Sequence, residues 1–195
     1  AGAATIALDI VFAEPDMSSP DELIRAWRQV PAMRPAAEFL ARSAVPDHDD
    51  LFADAIGRAP SVLGNILSAD GAGTFDNTLF GVAALGENPR PFLFAFDGAV
   101  TNLEVLEAAA QGLGALNVVP DQDGVVRRLP VLLRQGETIV PSLWADALRV
   151  AQRENSFVVR SAGASQVESF GENSGIESVR IGGAIVRTDA NGQIW

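Results

Sequence analysis

Residues 115–134, ALNVVPDQDGVVRRLPVLLR, decide the class of fold. Two apolar runs, 115–119 and 125–134, flank Asp121-Gln122-Asp123-Gly124. Asp-Gly between apolar runs predicts a β-hairpin, because Gly tolerates positive φ and Asp bonds readily to the backbone of a turn. Gly124 is therefore expected at positive φ, with the Asp side chains bonded to backbone. Pro130 cannot donate to a ladder, so it marks a bulge or a sheet edge. Pro141 then opens a helix over 141–153, whose buried face reads as Leu143, Trp144, Ala147, Leu148 and Ala151.

Working outward, ATIALDIVF (4–12) is an almost continuous apolar run, interrupted by Asp9. It reads as a central strand covered on both faces. Pro20-Asp21-Glu22 begins a short helix with Leu23, Ile24 and Trp27 at helical spacing, and residues 31–41 read as a linker and a second short helix. Asp47 is an N-cap for a third helix, with Asp50 three residues on and an apolar stripe of Leu51, Phe52, Ala55 and Ile56. SVLGNIL (61–67) is a strand. Residues 68–91 carry no clear signal, and PFLFAF (91–96) reads as a short strand or an extended loop. Leu103, Leu106 and Ala110 suggest a helix stopped near Gly112-Leu113-Gly114. SFVVR, ESVRI and AIVRT give short strands in the tail, and Asp189-Ala190-Asn191-Gly192 is a second turn. The alternation predicts an α/β or α+β fold: one domain spanning 1–195, with a central mixed sheet and helices packed on it.

Composition excludes several roles. Fourteen Lys and Arg against 25 Asp and Glu give a net charge of -11. Nucleic-acid binding relies on basic residues that neutralise phosphates, and anionic membrane surfaces make the same demand. No cysteine is present, which removes disulfides, zinc–thiolate sites and thiol catalysis. No stretch reaches the roughly 18 apolar residues of a membrane span. The chain starts without Met beside one apolar run and ends at Trp195 inside another, so both ends read as cuts in a longer polypeptide.

Chemistry-bearing residues are few. His48, the single histidine, sits between Asp47 and Asp49 and reads as the solvated first turn of a helix. Without a nucleophile elbow, a serine-hydrolase site has no support. Asp9 is the sharper candidate. A carboxylate inside a buried-type strand needs a cation or several donors, so it is expected to be buried and bonded to backbone N–H groups or to one of Arg127 and Arg128. In a strand those two arginines point to opposite faces, so at most one reaches Asp9. Asp121-Gln122-Asp123-Gly124 resembles the start of a calcium loop but lacks its later ligands, and a tight turn is the plainer reading. Asp9, Glu14, Asp16, Asp121, Asp123, Arg127 and Arg128 form the candidate ligand-binding set. No catalytic residue, metal ligand or cofactor site is assigned.

Several blocks together resemble a known family. They are IALDIVFAEPD (6–16), PDHDDLFADAI (46–56) with APSVLGN (59–65), and LGALNVVPDQDGVVRRLPVLL (113–133) followed by PSLWADALRV (141–150). TDANGQIW (188–195) resembles the family's late hairpin. In this order they are similar to the type-2 CHASE domain, the cyclase and histidine kinase-associated sensory extracellular module. The third block is the most specific.

The resemblance implies an extracytoplasmic sensor tethered by membrane helices and feeding a cytoplasmic output. That output is commonly a class III adenylate or guanylate cyclase, and otherwise a histidine kinase, diguanylate cyclase or Ser/Thr kinase. It also implies an earlier strand and helix and a closing strand that residues 1–195 do not contain, so a sheet edge and a homodimer are expected possibilities. The signal, a small molecule or a protein, is not implied. Two other functions compete. One is a structural or dimerisation module of a histidine kinase or other membrane receptor without a small ligand. The other is an extracytoplasmic metal-dependent hydrolase, which requires several carboxylates converging on Asp9.

Overall fold

A computed structural model describes residues 2–70, 73–75, 78–163 and 175–195. In chain order its elements begin with β1 (Ile6–Leu8), α1 (Pro20–Arg28), α2 (Arg34–Arg42), α3 (His48–Gly57) and β2 (Ser61–Ser68). Next come β3 (Gly81–Leu85), β4 (Ala95–Phe96), β5 (Gly98–Val100), α4 (Glu104–Ala109) and β6 (Gly112–Ala115). The remainder are β7 (Leu129–Pro130), β8 (Leu132–Gln135), β9 (Thr138–Pro141), α5 (Leu143–Ala151), β10 (Ser156–Ser161), β11 (Ile176–Ile181), β12 (Ala184–Arg187) and β13 (Gln193–Ile194). Helices and mixed sheets share one domain of the α/β class.

The central strand of the first sheet is β2, not the 4–12 run. It pairs in parallel with β1 (Ile6↔Ser61 to Leu8↔Leu63) and with β6 (Val62↔Gly112 to Asn65↔Ala115), and antiparallel with β5. Val62 and Leu63 are fully buried. β1 lies at an edge: only three residues of the 4–12 run form strand, and Ile6 and Ile10 are 44% and 54% exposed. An apolar run looks the same at a sheet centre and at an edge; partner number decides, and composition does not report it. Asp9 is accordingly exposed, not buried.

The second sheet has the order β12-β11-β10-β3, with β10 parallel to β3 and antiparallel to β11. The three tail strands are as the sequence predicts. β3 comes from the signal-poor stretch 68–91, of which residues 71, 72, 76 and 77 lie outside the described residues. PFLFAF divides between a 3₁₀ turn at Arg90–Phe92 and β4. Two cores result. One gathers Leu63, Leu67, Leu106 and Leu113 on the first sheet, and the other gathers Phe157, Val159, Val179 and Ile181 on the second.

The hairpin lies elsewhere than expected. Residues 116–128 form no ladder, and the paired strands are β8 and β9, closed at Gln135–Thr138 with Gly136 at φ +53°. The 121–124 segment is a tight turn: Gly124 has φ +79° and its N–H donates to Asp121 O at 2.8 Å. The apolar residues before it, Leu116 to Val119, leave the sheet after Ala115. Pro130 sits in the two-residue ribbon β7–β13, consistent with its missing donor.

α5 joins the two cores, and its buried face differs from the predicted one. Leu143, Trp144, Ala147 and Leu148 are half-buried, while Ala145, Asp146, Arg149 and Val150 are buried. Asp146 and Arg149 form a bidentate pair at 2.6 and 3.1 Å, and Arg149 also donates to Glu154 O (2.8 Å) and Gln111 O (3.1 Å). The guanidinium lies 5.4 Å from the Phe80 ring centroid. Burial pushes the Asp146 carboxyl above its ordinary pKa, opposed by Arg149 and the Leu113 amide. Gly112 makes room for this pair, since an added Cβ would overlap Asp146 Oδ2. The Gly112-Leu113-Gly114 glycines are therefore strand residues under a helix, not the stop of α4.

On α3, Ala53 and Ile56 are buried, Phe52 is half-buried, and Leu51 and Ala55 are exposed, so the stripe is narrower than predicted. Asp47 is the N-cap as expected, accepting from Asp49 N at 2.9 Å.

Breaking one partner of the α5 pair leaves an uncompensated buried charge. Arg149→Ala is expected to destabilise the domain by about 3–5 kcal/mol, and Gly112→Ala by about 1–3 kcal/mol through overpacking. The exposed Arg42→Ala should change little. Urea unfolding of the three variants checks the ranking.

Candidate functional site

β1 and β6 flank β2 in parallel. Ligands of α/β sheets gather beyond the carboxyl ends of such strands. A cleft of about 190 Å³ lies there. Asp9, the residue after β1, lines it, and so do Leu116 and Val118, just after β6. Leu129 and Pro130 close it from β7, and Leu143 and Trp144 from the start of α5. The other polar side chains of the lining are already engaged. Asn117 clamps Leu67, accepting from its N–H (2.7 Å) and donating to its carbonyl (2.7 Å). Trp144 Nε1 donates to Pro130 O (3.1 Å), and the Ser142 hydroxyl donates to Val131 O (3.3 Å). Asp9 makes no hydrogen bond or ion pair with Arg127 or Arg128, so the expected pairing is overturned: the arginines are held elsewhere.

They are held in a charged knot on the 116–130 segment, which also forms one wall of the cleft. Arg127 donates to Asp123 (2.9 and 2.8 Å) and to Asp121 (3.1 Å). Arg128 donates to the other Asp121 oxygen (2.5 Å) and to Asp189 (2.9 Å), and its guanidinium lies 5.3 Å from the Trp195 ring centroid. The alternation argument fails because 125–128 is not strand, so both arginines can turn toward the same acids. Asp123 Oδ1 also accepts from Val125 N (3.1 Å), the Asx bond expected of the turn. Hydrogen bonds first from Arg128 and then from Arg127 lower the Asp121 pKa, and Arg127 lowers that of Asp123. A calcium ion at this turn would have to displace both guanidinium groups.

Asp189 completes the knot from the second predicted turn. Its Oδ1 accepts from Asn191 N (3.0 Å) and Gln193 N (2.9 Å), and Gly192 has φ +76°. With β7–β13 pairing (Leu129↔Ile194, Pro130↔Gln193), the knot ties the cleft wall to residues 189–195. Sequence reasoning recognised the Asp189 turn but not its partner, and it missed Trp195, since a contact across sixty residues leaves no local mark.

Glu14 is exposed, and neither it nor Asp16 lines the cleft. Asp16 belongs to a polar patch that fixes the chain after β1 to the start of α3. The Ser18 hydroxyl and N–H donate to it (2.7 and 2.8 Å) and lower its pKa, and His48 Nδ1 lies 3.3 Å away. Ser19 bridges Asp47 (2.5 Å) and the His48 N–H (2.8 Å). His48 is the first residue of α3, as expected. Among the described residues no group of three or more His, Cys, Asp or Glu is placed to hold a metal ion, and Asp9 is the only carboxylate lining the cleft. The convergence that a metal-dependent hydrolase requires is not found around it.

The family model of the CHASE2 domain matches residues 1–195. No curated protein and no solved structure matches the chain. No helix among the described residues is long and apolar enough to cross a membrane.

Because Asp121 and Asp123 bind protons less readily in the folded chain than in the unfolded one, their stabilising effect is full above the ordinary Asp pKa of about 3.9. It is lost as pH falls through their lowered folded values. Asp121→Asn should therefore lower the melting temperature at about pH 7, and the gap from the parent chain should narrow as pH falls below the ordinary Asp value and close below the lowered folded one. Calorimetric melts across that range check this; a gap that persists in acid would deny the carboxylate its role.

Proposed function

The chain belongs to the CHASE2 domain family, and on that premise we propose that it is the signal-sensing module of a bacterial transmembrane receptor that controls a cytoplasmic class III adenylate or guanylate cyclase. CHASE2 domains are extracytoplasmic sensory domains of membrane receptors rather than catalysts. The cyclase, as the specific output, is the finer part of the reading and follows from the commonest pairing in that family.

One observation carries the reading to residues: the cleft wall and the segment 189–195 are tied together through Arg128. Asp9 is the ligand-facing residue, and Asp121, Asp123, Arg127 and Arg128 are the latch. A ligand that moves Leu116, Val118 or Leu129 must strain either β7–β13 or the Arg128 bridge between Asp121 and Asp189. Bound and unbound states then differ in contacts made far from the ligand, which is what coupling requires. Asp16, outside the lining, ties the chain after the strand that presents Asp9 to the start of α3, and Glu14, also outside it, is exposed.

A receptor module without a small ligand, working through dimerisation, makes a different prediction: output would follow association and ignore the cleft. Arg128→Ala in the full receptor is expected to change the basal cyclic-nucleotide output several-fold. The isolated domain should lose little stability, because ion pairs open to solvent contribute little. Leu116→Trp, which fills the cleft, should shift output in membranes without altering the oligomeric state. If both variants leave output at the parent level while dimer-disrupting changes abolish it, the dimerisation reading replaces this one.

A further inference from the structure

We propose that the Asp9 cleft takes a small organic cation, a primary amine carried on an apolar body of one ring. The inference rests on reading this cleft as the sensing site and supplies the chemical class of its ligand.

The argument is one of satisfiability. The amide of Asn117, the indole N–H of Trp144 and the hydroxyl of Ser142 are each committed to a backbone partner within 3.3 Å. Asp9 alone keeps an unengaged side chain in the lining, and an ionised carboxylate only accepts. A ligand recognised here must bring donors, and a positive charge strengthens those bonds. The rest of the surface is offered by Leu116, Val118, Leu129, Leu143 and the Trp144 ring, which favours an apolar body. Volume limits the size. An apolar cavity of ~150 Å³ holds a benzene ring; the cleft, at about 190 Å³, adds room for a short arm that carries the amine toward Asp9. The net charge of -11 raises the local concentration of cations and disfavours anionic competitors.

Calorimetric titration of the 195-residue chain with 2-phenylethylamine, 2-phenylethanol and 3-phenylpropionate tests the class. The amine should bind at least several-fold more tightly than the alcohol, and the acid not measurably. Asp9→Asn should weaken the amine by roughly tenfold, the worth of one charge-assisted bond, and erase its preference over the alcohol while leaving the melting temperature unchanged. Three results overturn the inference: no amine binding at tens of millimolar, a preference for the acid (which would assign the cleft to the first-turn amides of α5), or an amine preference that survives Asp9→Asn. The sensing reading fails separately. If the amine binds through Asp9 yet leaves receptor output flat at saturation, the ligand class stands and the cleft is not the sensing site.

Discussion

The Asp146–Arg149 pair is the constraint around which the two halves of this domain are arranged. It lies on one turn of α5, buried on both partners, and its five donors and acceptors reach three other parts of the chain: the Leu113 amide and Gln111 carbonyl beside β6, the Glu154 carbonyl after the helix, and the Phe80 ring in the second core. Two charges taken out of water are costly unless every remaining lone pair and proton is met. Here the backbone of the first sheet and the turn into the second meet them. The helix can occupy only the position where both sheets supply partners, so the pair orients one sheet relative to the other. Gly112 and Gly114 follow from it: β6 must pass so near α5 that an added Cβ at either would strike Asp146 or the backbone at Leu143.

This explains which parts of the fold were legible. β2, α1, α3 and the tail strands announce themselves through local patterns, apolar runs and caps, which depend only on neighbouring residues. Asp9 was misread and Asp146 passed over for one reason. Asp9 looked buried because its neighbours are apolar, yet β1 is an edge with one partner. Asp146 falls outside the predicted buried face of the helix, yet it is fully buried, because Arg149 one turn on meets its charge and a glycine strand leaves space. Burial of a charge depends on what the rest of the chain brings to it, and periodicity carries no such information. The hairpin was displaced for a related reason. Asp-Gly specifies a turn, and the turn is there, but Pro120 and Pro130 on either side deny the donors that a ladder would need, while Gln135-Gly136-Glu137 joins strands free to pair.

The candidate site was legible as a group of residues but not as an arrangement. Asp121, Asp123, Arg127 and Arg128 were singled out together and are found together. The sequence joined them to Asp9, whereas the structure joins them to Asp189 and Trp195. The relocation changes their meaning: an Asp9–arginine pair would close the cleft and fill it with satisfied charge, whereas the observed knot leaves the cleft open beside it.

The unpaired segment 116–128 then has a physical role of its own. A ladder between β6 and β7 would fix this wall with backbone bonds that no small ligand could disturb. Instead, beyond the Leu116 N–H bond to the Asn65 carbonyl and the Asn117 clamp on Leu67, it is held by carboxylate–guanidinium contacts whose side chains are 22–55% exposed. Each is weak in water, and they share acids, so losing one loosens the next. A ligand in a cleft of this size supplies only a few kcal/mol of binding energy. On the proposed sensing role, such a ligand acts on the knot rather than on α5, which is held by its buried pair. The domain thus separates a rigid frame, built on buried charge, from a wall held by exposed charge, and the wall is the part joined to residues 189–195.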